Sequence, residues 1–194
     1  MAEVILHRRE VVRRVLDDRG DLLVVTGLGA PAYDVAAAGD HALNFYLWGA
    51  MGSAAMIGLG LALAKPKLRV LVVTGDGEML MGIGSLATIG VKQPGNLGIL
   101  VLDNRRYGET GMQPSHTDSG VDIAAVAAAC RFPVARRIST LAELDDARGL
   151  LHSTQGPVFI QAVVEPESVP RVLPPRDGNE IRLRFAQALD RIER

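Results

Sequence analysis

Cysteine and aromatic residues are scarce in this chain, and neither sign of charge dominates. One cysteine, Cys130, among 194 residues excludes an intramolecular disulfide. By itself it builds neither a Cys-based zinc site nor an iron–sulfur cluster. The expected compartment is therefore a reducing cytoplasm. Aromatics make up 4% of the chain, so the core must come from Leu, Val, Ile, Ala and Met, which suits helices packed closely on a sheet. A net charge of −1 leaves no electrostatic footprint for nucleic acid or an anionic membrane. The first ten residues contain no long apolar run, so no signal peptide is expected.

What is present is ordinary for a globular protein: 48% hydrophobic and 22% charged residues. The length suits one α/β domain with a sizeable core. One stretch, Leu43–Ala64, runs 22 residues without a charge, long enough to span a bilayer. Asn44 lies inside it, Gly49 and Gly52 interrupt it, and a strand-like segment follows almost at once. It reads instead as a strand and a helix buried at the centre of an α/β protein.

The hydrophobic pattern predicts alternating helices and strands. Helices are expected at Glu3–Asp18, Ala32–Ala38, Met51–Ala64, Leu80–Val91, Val121–Arg131 and Leu141–His152, the last with Thr140 as N-cap and Glu143 three residues on. Strands are expected at Asp21–Thr26, Asn44–Trp48, Leu68–Thr74, Leu97–Leu102, Pro133–Arg136 and Val158–Val164. The Val/Leu run of Leu68–Thr74 is that of a strand covered on both faces. Residues 103–120 are polar and irregular, a loop long enough to be functional or disordered. The alternation implies a three-layer α/β fold, a mainly parallel sheet with helices on both faces. Residues 1–194 read as a single domain, with 165–179 a connecting arm and 180–194 a C-terminal helix.

Two short motifs carry chemistry. Gly75-Asp76-Gly77-Glu78 closes one apolar strand, and Asp103-Asn104 closes the next. In an open parallel sheet the carboxyl ends of the strands form the edge where ligands bind. Asp76 and Asn104 there suit a hard, oxygen-seeking cation such as Mg2+, whose other ligands are often phosphate oxygens and water. Alone, Gly-Asp-Gly is also a common turn, and Asp-Asn can simply cap a helix. Two more glycine-bearing strand ends, Gly27/Gly29 and Gly49-Ala50-Met51-Gly52, would let a ligand approach the backbone closely.

Together these residues resemble the diphosphate-binding half of thiamine diphosphate (ThDP) enzymes, whose hallmark is Gly-Asp-Gly, a spacer in the mid-twenties and then Asn. Here 25 residues separate Gly77 from Asp103. The likeness covers nearly the whole chain and is strongest to the branch that contains sulfopyruvate and phosphonopyruvate decarboxylases. Asn44-Phe45-Tyr46, residues 57–64, Leu102-Asp103-Asn104, Tyr107-Gly108-Glu109-Thr110-Gly111 and Gln113 look like that branch.

The resemblance implies roles residue by residue. Asp76 and Asn104 would bind Mg2+ through their side chains and Arg106 through its backbone carbonyl, with two diphosphate oxygens and a water completing an octahedron. Gly75, Gly77 and Glu78 would border the diphosphate. Thr26, Gly27, Leu28, Tyr107 and Gly108 would line the cofactor, Gly49 would accept from the aminopyrimidine, and Ala50 would stand where the family often has Ser. Met51 would wedge beneath the cofactor and hold it bent. Asp103 lies outside the side-chain ligand role. Arg105-Arg106 departs from the usual small or Gly-containing step, and is read either as an attraction for an anionic substrate or as solvated loop charge.

His116 in the long loop is the histidine best placed to meet substrate, ahead of His41. His7 and His152 read as helix-surface residues. Glu109 is either a proton-transfer group or a loop charge, and Cys130 a small hydrophobe.

ThDP enzymes also need a pyrimidine-binding domain, and this chain has no room for one. The resemblance thus implies a separate pyrimidine-binding subunit, in a heterotetramer or larger. It also implies decarboxylation of an anionic 2-oxo acid, 3-sulfopyruvate first and phosphonopyruvate second, releasing CO2 and an aldehyde. The alternatives are a ThDP carboligase or a decarboxylase of another 2-oxo acid, and, of a different class, a non-catalytic regulatory or scaffold paralogue. An iron–sulfur oxidoreductase subunit lacks the cysteines.

Overall fold

The computed structural model describes residues 6–153 and 156–192. The expected start of the first helix at Glu3 and the end of the expected C-terminal helix at 194 lie outside the described residues. In chain order the elements are α1 (Arg8–Leu16), β1 (Leu23–Thr26), α2 (Ala30–Ala37), β2 (Asn44–Tyr46), α3 (Ala54–Ala64), β3 (Val70–Gly75), α4 (Asp76–Met81), α5 (Ser85–Lys92), β4 (Leu97–Asp103), β5 (Arg106–Tyr107), β6 (Gln113–Pro114), α6 (Ile123–Ala129), β7 (Val134–Ile138), α7 (Leu141–Ser153), β8 (Val158–Val163) and α8 (Gly178–Ile192). A 3-10 turn, His116–Ser119, lies between β6 and α6.

Six strands form one parallel sheet in the order β2-β1-β3-β4-β8-β7. Alternate residues of each strand face opposite layers. Val24, Leu71, Val73, Leu100 and Ile160 pack beneath α1, α2 and α7. Val25, Val70, Val72, Ile99 and Phe159 pack beneath α3, α5, α6 and α8. The three-layer α/β expectation holds. Helix α3, uncharged along its length, lies over β3 and β1 in the second layer, and among the described residues no helix is long and apolar enough to cross a membrane.

Two expectations are corrected. The helix expected at Leu80–Val91 is two helices, α4 and α5, interrupted at Gly82-Ile83-Gly84. Glycine favours a break within a helical run, and the earlier helix begins at Asp76 itself. Residues 103–120 are not wholly irregular either: β5 and β6 pair antiparallel before the 3-10 turn. Residues 165–177, in the expected arm, contain no helix or strand.

Strand order positions the site. From β1 the chain passes to α2 in one layer, and from its neighbour β3 it passes to α4 and α5 in the other. The loops after β1 and β3 therefore diverge and leave a crevice at the carboxyl edge, the place where open α/β sheets bind ligands.

The capping box of α7 is formed as the sequence implies. Glu143 Oε2 accepts from the Ser139 and Thr140 amides at 2.9 and 3.0 Å, and Thr140 Oγ1 accepts from the Glu143 amide at 3.3 Å. Thr140→Ala should cost about 1 kcal/mol and lower the melting temperature by roughly 2–4 °C, read by circular dichroism. An unchanged melting temperature would deny the cap its weight.

Candidate cofactor and metal site

The crevice holds a cavity of about 190 Å3. Gly75, Asp76, Gly77 and Glu78 enter it from the end of β3 and the first turn of α4, and Asn104 from the end of β4. Leu28, Met51, Arg106, Tyr107, Gly108 and Glu109 complete the residues that the sequence singled out and the cavity brings together. Arg8, Ala30, Pro31, Leu102 and Thr110 also line it. The first amides of α4 have no acceptor within their helix, as at any helix start.

Asp76 is 2% exposed. Its carboxylate accepts a short hydrogen bond from Ser115 Oγ and a longer one, at 3.3 Å, from Thr117 Oγ1. Burial, reinforced by the nearby charge of Asp103, pushes the Asp76 carboxyl up to about 6, against the pull of the two hydroxyls. Asp103 is buried too, but its oxygens are engaged by the Arg105 amide at 3.1 Å, Thr117 Oγ1 at 2.7 Å and Gln161 Nε2 at 2.7 Å. Asp103 thus holds the loop, and Asp76 is the carboxylate facing the cavity.

Asn104 Oδ1 accepts from the Arg106 amide at 3.0 Å. This turn puts Arg105 at φ 61°, a left-handed conformation costly for a residue with a Cβ. Arg106 stands opposite Pro114 in the small hairpin, and proline has no N–H to give its carbonyl. The Arg106 side chain pairs with Asp118 at 2.7 Å.

Glu78 is buried beneath the loop after β1. Thr74 Oγ1 donates to its Oε2 at 2.9 Å, and a Cβ on Gly27 would meet that same oxygen at 1.7 Å, so glycine is required for the loop to lie so close. Burial raises the Glu78 carboxyl, while Thr74 and the nearby amides of Ala54, Gly52 and Leu28 pull it down. Gly77 is likewise closed to a side chain: its Cβ would stand 2.6 Å from the Tyr107 ring.

Of the predicted residues, Thr26, Gly27, Gly49, Ala50 and His116 do not line the cavity, and Glu109 lines its rim. Thr26 is fully buried, with no partner for Oγ1 among the described residues, and Gly27 serves through its close approach to Glu78. Gly49 and Ala50 are exposed in the loop after β2, Ala50 at φ 55°. His116 is exposed, with Nδ1 3.3 Å from the Tyr107 hydroxyl. Glu109, on the rim, accepts from Arg171 at 3.3 Å. Away from the cavity, His152 reaches the Val15 carbonyl at 2.7 Å and Cys130 is half-buried at the end of α6.

The sequence favours His116, whereas the residues that hold Asp76 are its neighbours Ser115 and Thr117. Nor does it single out Arg8. Alternation through Ser115-His116-Thr117 was the available signal: the two hydroxyls turn inward and the imidazole outward.

Among the described residues no three His, Cys, Asp or Glu side chains cluster as a metal site. A cation beside Asp76 and Asn104 must therefore draw further oxygens from backbone and ligand, as a diphosphate provides. A buried carboxylate with no guanidinium or ammonium group bonded to it fits that requirement.

Residues 27–162 match the family described as thiamine pyrophosphate enzyme, C-terminal TPP binding domain. The chain belongs to this family. As a TPP-binding domain it is 41% identical over 167 residues to a phosphonopyruvate decarboxylase of Streptomyces viridochromogenes, covering 84% of this chain and 42% of that protein. It is 38% identical over 182 residues to the sulfopyruvate decarboxylase subunit beta of Methanothermobacter thermautotrophicus, covering 94% of this chain and 95% of that subunit. In fold it is similar to a solved structure described as a putative thiamin diphosphate-dependent enzyme from Mycobacterium smegmatis, with a TM-score of 0.72, 20% identity, and cover of 85% of this chain and 33% of that one.

The Asp76 carboxyl lies higher in the folded chain, at about 6, than its ordinary 3.8. The folded state therefore binds this proton more tightly, and the stability it brings is complete below 3.8 and lost as pH rises through about 6. The metal-free chain should lose about 3 kcal/mol from this group between roughly pH 4 and pH 7. Asp76→Asn should flatten that slope, as urea unfolding with a chelator present would read.

Proposed function

We propose that this chain is the ThDP- and Mg2+-binding subunit of a two-subunit 2-oxo-acid decarboxylase. Its substrate is a 2-oxo acid with an anionic tail, 3-sulfopyruvate first and phosphonopyruvate second, and its products are CO2 and an aldehyde. The observation that carries this reading is the buried, cation-seeking Asp76 beside Asn104 at the crevice of a TPP-binding domain. The substrate class is supported by the relatives of known activity.

Asp76 and Asn104 would hold Mg2+ through side-chain oxygens and Arg106 through its carbonyl. Gly75, Gly77 and Glu78 would flank the diphosphate, with Thr26, Gly27, Leu28, Tyr107 and Gly108 around it. When bound, ThDP supplies a nucleophilic carbon and an electron sink for loss of CO2. Met51 would support the bent cofactor from below, the Gly49 carbonyl would accept a hydrogen bond from the aminopyrimidine, and Ala50 would turn the chain between them. Glu109 on the rim is assigned proton delivery to the product side, and His116 contact with substrate.

A separate pyrimidine-binding subunit, in a heterotetramer or larger, is supported by three features. The cavity is smaller than the roughly 300–1,000 Å3 of closed small-molecule sites. Met51, over the cavity, is 38% exposed and Met112 is 39% exposed. The chain spans almost the whole of a subunit named beta but only 42% of a longer decarboxylase. The single cysteine fits a cytoplasmic setting.

The test is CO2 release from a panel of 2-oxo acids by the chain purified with its partner subunit, ThDP and Mg2+. Sulfonate- or phosphonate-bearing acids should turn over fastest. Asp76→Ala should abolish Mg2+-dependent ThDP binding, and unchanged affinity would sink the metal assignment. Met51→Ala should lower kcat about 100-fold through loss of cofactor geometry while the chain still binds ThDP. Bound ThDP with no CO2 from any acid would point to ligase chemistry or a missing component.

A further inference from the structure

Arg8, the first residue of α1, is 7% exposed and lines the cavity with Asp76, Gly77 and Asn104. It also lines an adjoining hollow with Tyr33 and Arg171. Its place at the carboxyl edge is set by the main chain: Leu6 pairs with Val164 as a parallel bridge, the Glu165 amide donates to the Leu6 carbonyl at 3.0 Å, and the Val164 amide donates to the Asp103 carbonyl at 2.9 Å. The start of α1 is thus tied to the end of β4, beside Asn104.

The charge of Arg8 is only partly compensated. Its Nη1 donates to Asp34 at 2.6 Å and to the Ala30 carbonyl at 3.5 Å. The other oxygen of Asp34 accepts from Arg9 at 3.2 Å. Two guanidinium groups share one fully buried carboxylate, and positive charge is left over. Among the described residues Arg8 Nε, itself buried, has no hydrogen-bond partner, a costly condition for a charged donor. Of the residues lining the cavity, the cations are Arg8 and Arg106, and Arg106 is paired with Asp118. One divalent cation leaves a diphosphate and Asp76 together with surplus negative charge.

We propose that Arg8 is the receptor for a terminal tetrahedral oxyanion at this end of the cavity, the distal phosphate of ThDP, an inference that rests on the ThDP reading. A sulfonate or phosphonate tail of the substrate has the same chemistry, and the experiment separates the two sources. Guanidinium is suited to the task because its fork matches two oxygens of such a group.

The test is calorimetric titration of the full chain with Mg2+ and inorganic pyrophosphate, with Mg2+ and ThDP, and with 3-sulfopyruvate, repeated in the presence of the partner subunit. Arg8→Gln should weaken pyrophosphate and ThDP by about ten- to a hundredfold. Arg8→Lys should recover part of that loss, and Arg9→Gln, which touches Asp34 but not the cavity, should change affinity by less than about threefold. Because Arg8→Gln leaves Asp34 short of a partner, the double variant Arg8→Gln/Asp34→Asn, checked for a cooperative melt, carries the comparison if the single variant does not fold. Pyrophosphate affinity equal to that of the wild type in a folded Arg8 variant would overturn the proposal. So would loss confined to 3-sulfopyruvate, which would give the oxyanion to the substrate. A wild-type chain that binds neither pyrophosphate nor ThDP, alone or with its partner, would instead overturn the ThDP reading and this inference with it.

Discussion

Two carboxylates, Asp76 and Asp103, are buried at the ends of neighbouring strands, 2% and 1% exposed, and the loop that follows β4 is organised around them. The Thr117 hydroxyl has one proton and lies within reach of both, nearer to Asp103 at 2.7 Å than to Asp76 at 3.3 Å. Gln161 adds a donor to Asp103 from β8 while its Oε1 accepts from the Ala124 amide at 2.8 Å, tying β8 and α6 to the same point. Burying like charges together without a cation works against folding. The arrangement makes sense where a cation completes it, and the rest of the edge then serves to hold those oxygens in place.

The layers behind the edge provide the rigidity that this placement requires. Strands β3 and β4 are buried on both faces, so Asp76 and Asn104 project from the stiffest part of the sheet. Because β1 and β3 feed opposite layers, the loop after β1 is free to come down onto Glu78. Its close approach at Gly27 joins the two loops through one carboxylate rather than through side-chain packing. Met51 differs in kind: it lies in the loop after the edge strand β2 and is partly exposed.

The alternating pattern made the architecture legible, since strands buried on both faces read as continuous Val and Leu and their helices as apolar periodicity. Asp76 and Asn104 were legible because glycine spacing and strand ends are local features. Ser115, Thr117 and Arg8 were not. The first two lie in a segment without periodicity, where the inward-facing side chains depend on the hairpin that pairs Arg106 with Pro114. Arg8 lies among Arg9, Arg13 and Arg14 at the start of an amphipathic helix, and its place on the cavity wall follows from long-range contacts, the bridge between Leu6 and Val164 and the pairing with Asp34. The break at Gly82–Gly84 was obscured because Met79, Leu80, Met81 and Ile83 sustain an apolar run across it.

The division of labour within the cavity follows from where charge is buried and where apolar surface is exposed. Fixed charge, Asp76 at the end of β3 and Arg8 at the start of α1, sits buried on the cavity wall, where low dielectric would strengthen its hold on a polyanion and a metal. Apolar side chains with flexible stems, Met51 and Met112, sit at the open side, where they are only partly covered. A polyanionic anchor can be gripped by one chain because its partners are charges already held in place. An uncharged ring system is gripped by enclosure, which needs surface on both sides. On the proposed function, this chain would supply the anchor and one face of the enclosure, so the boundary between the two would be where a second polypeptide meets it.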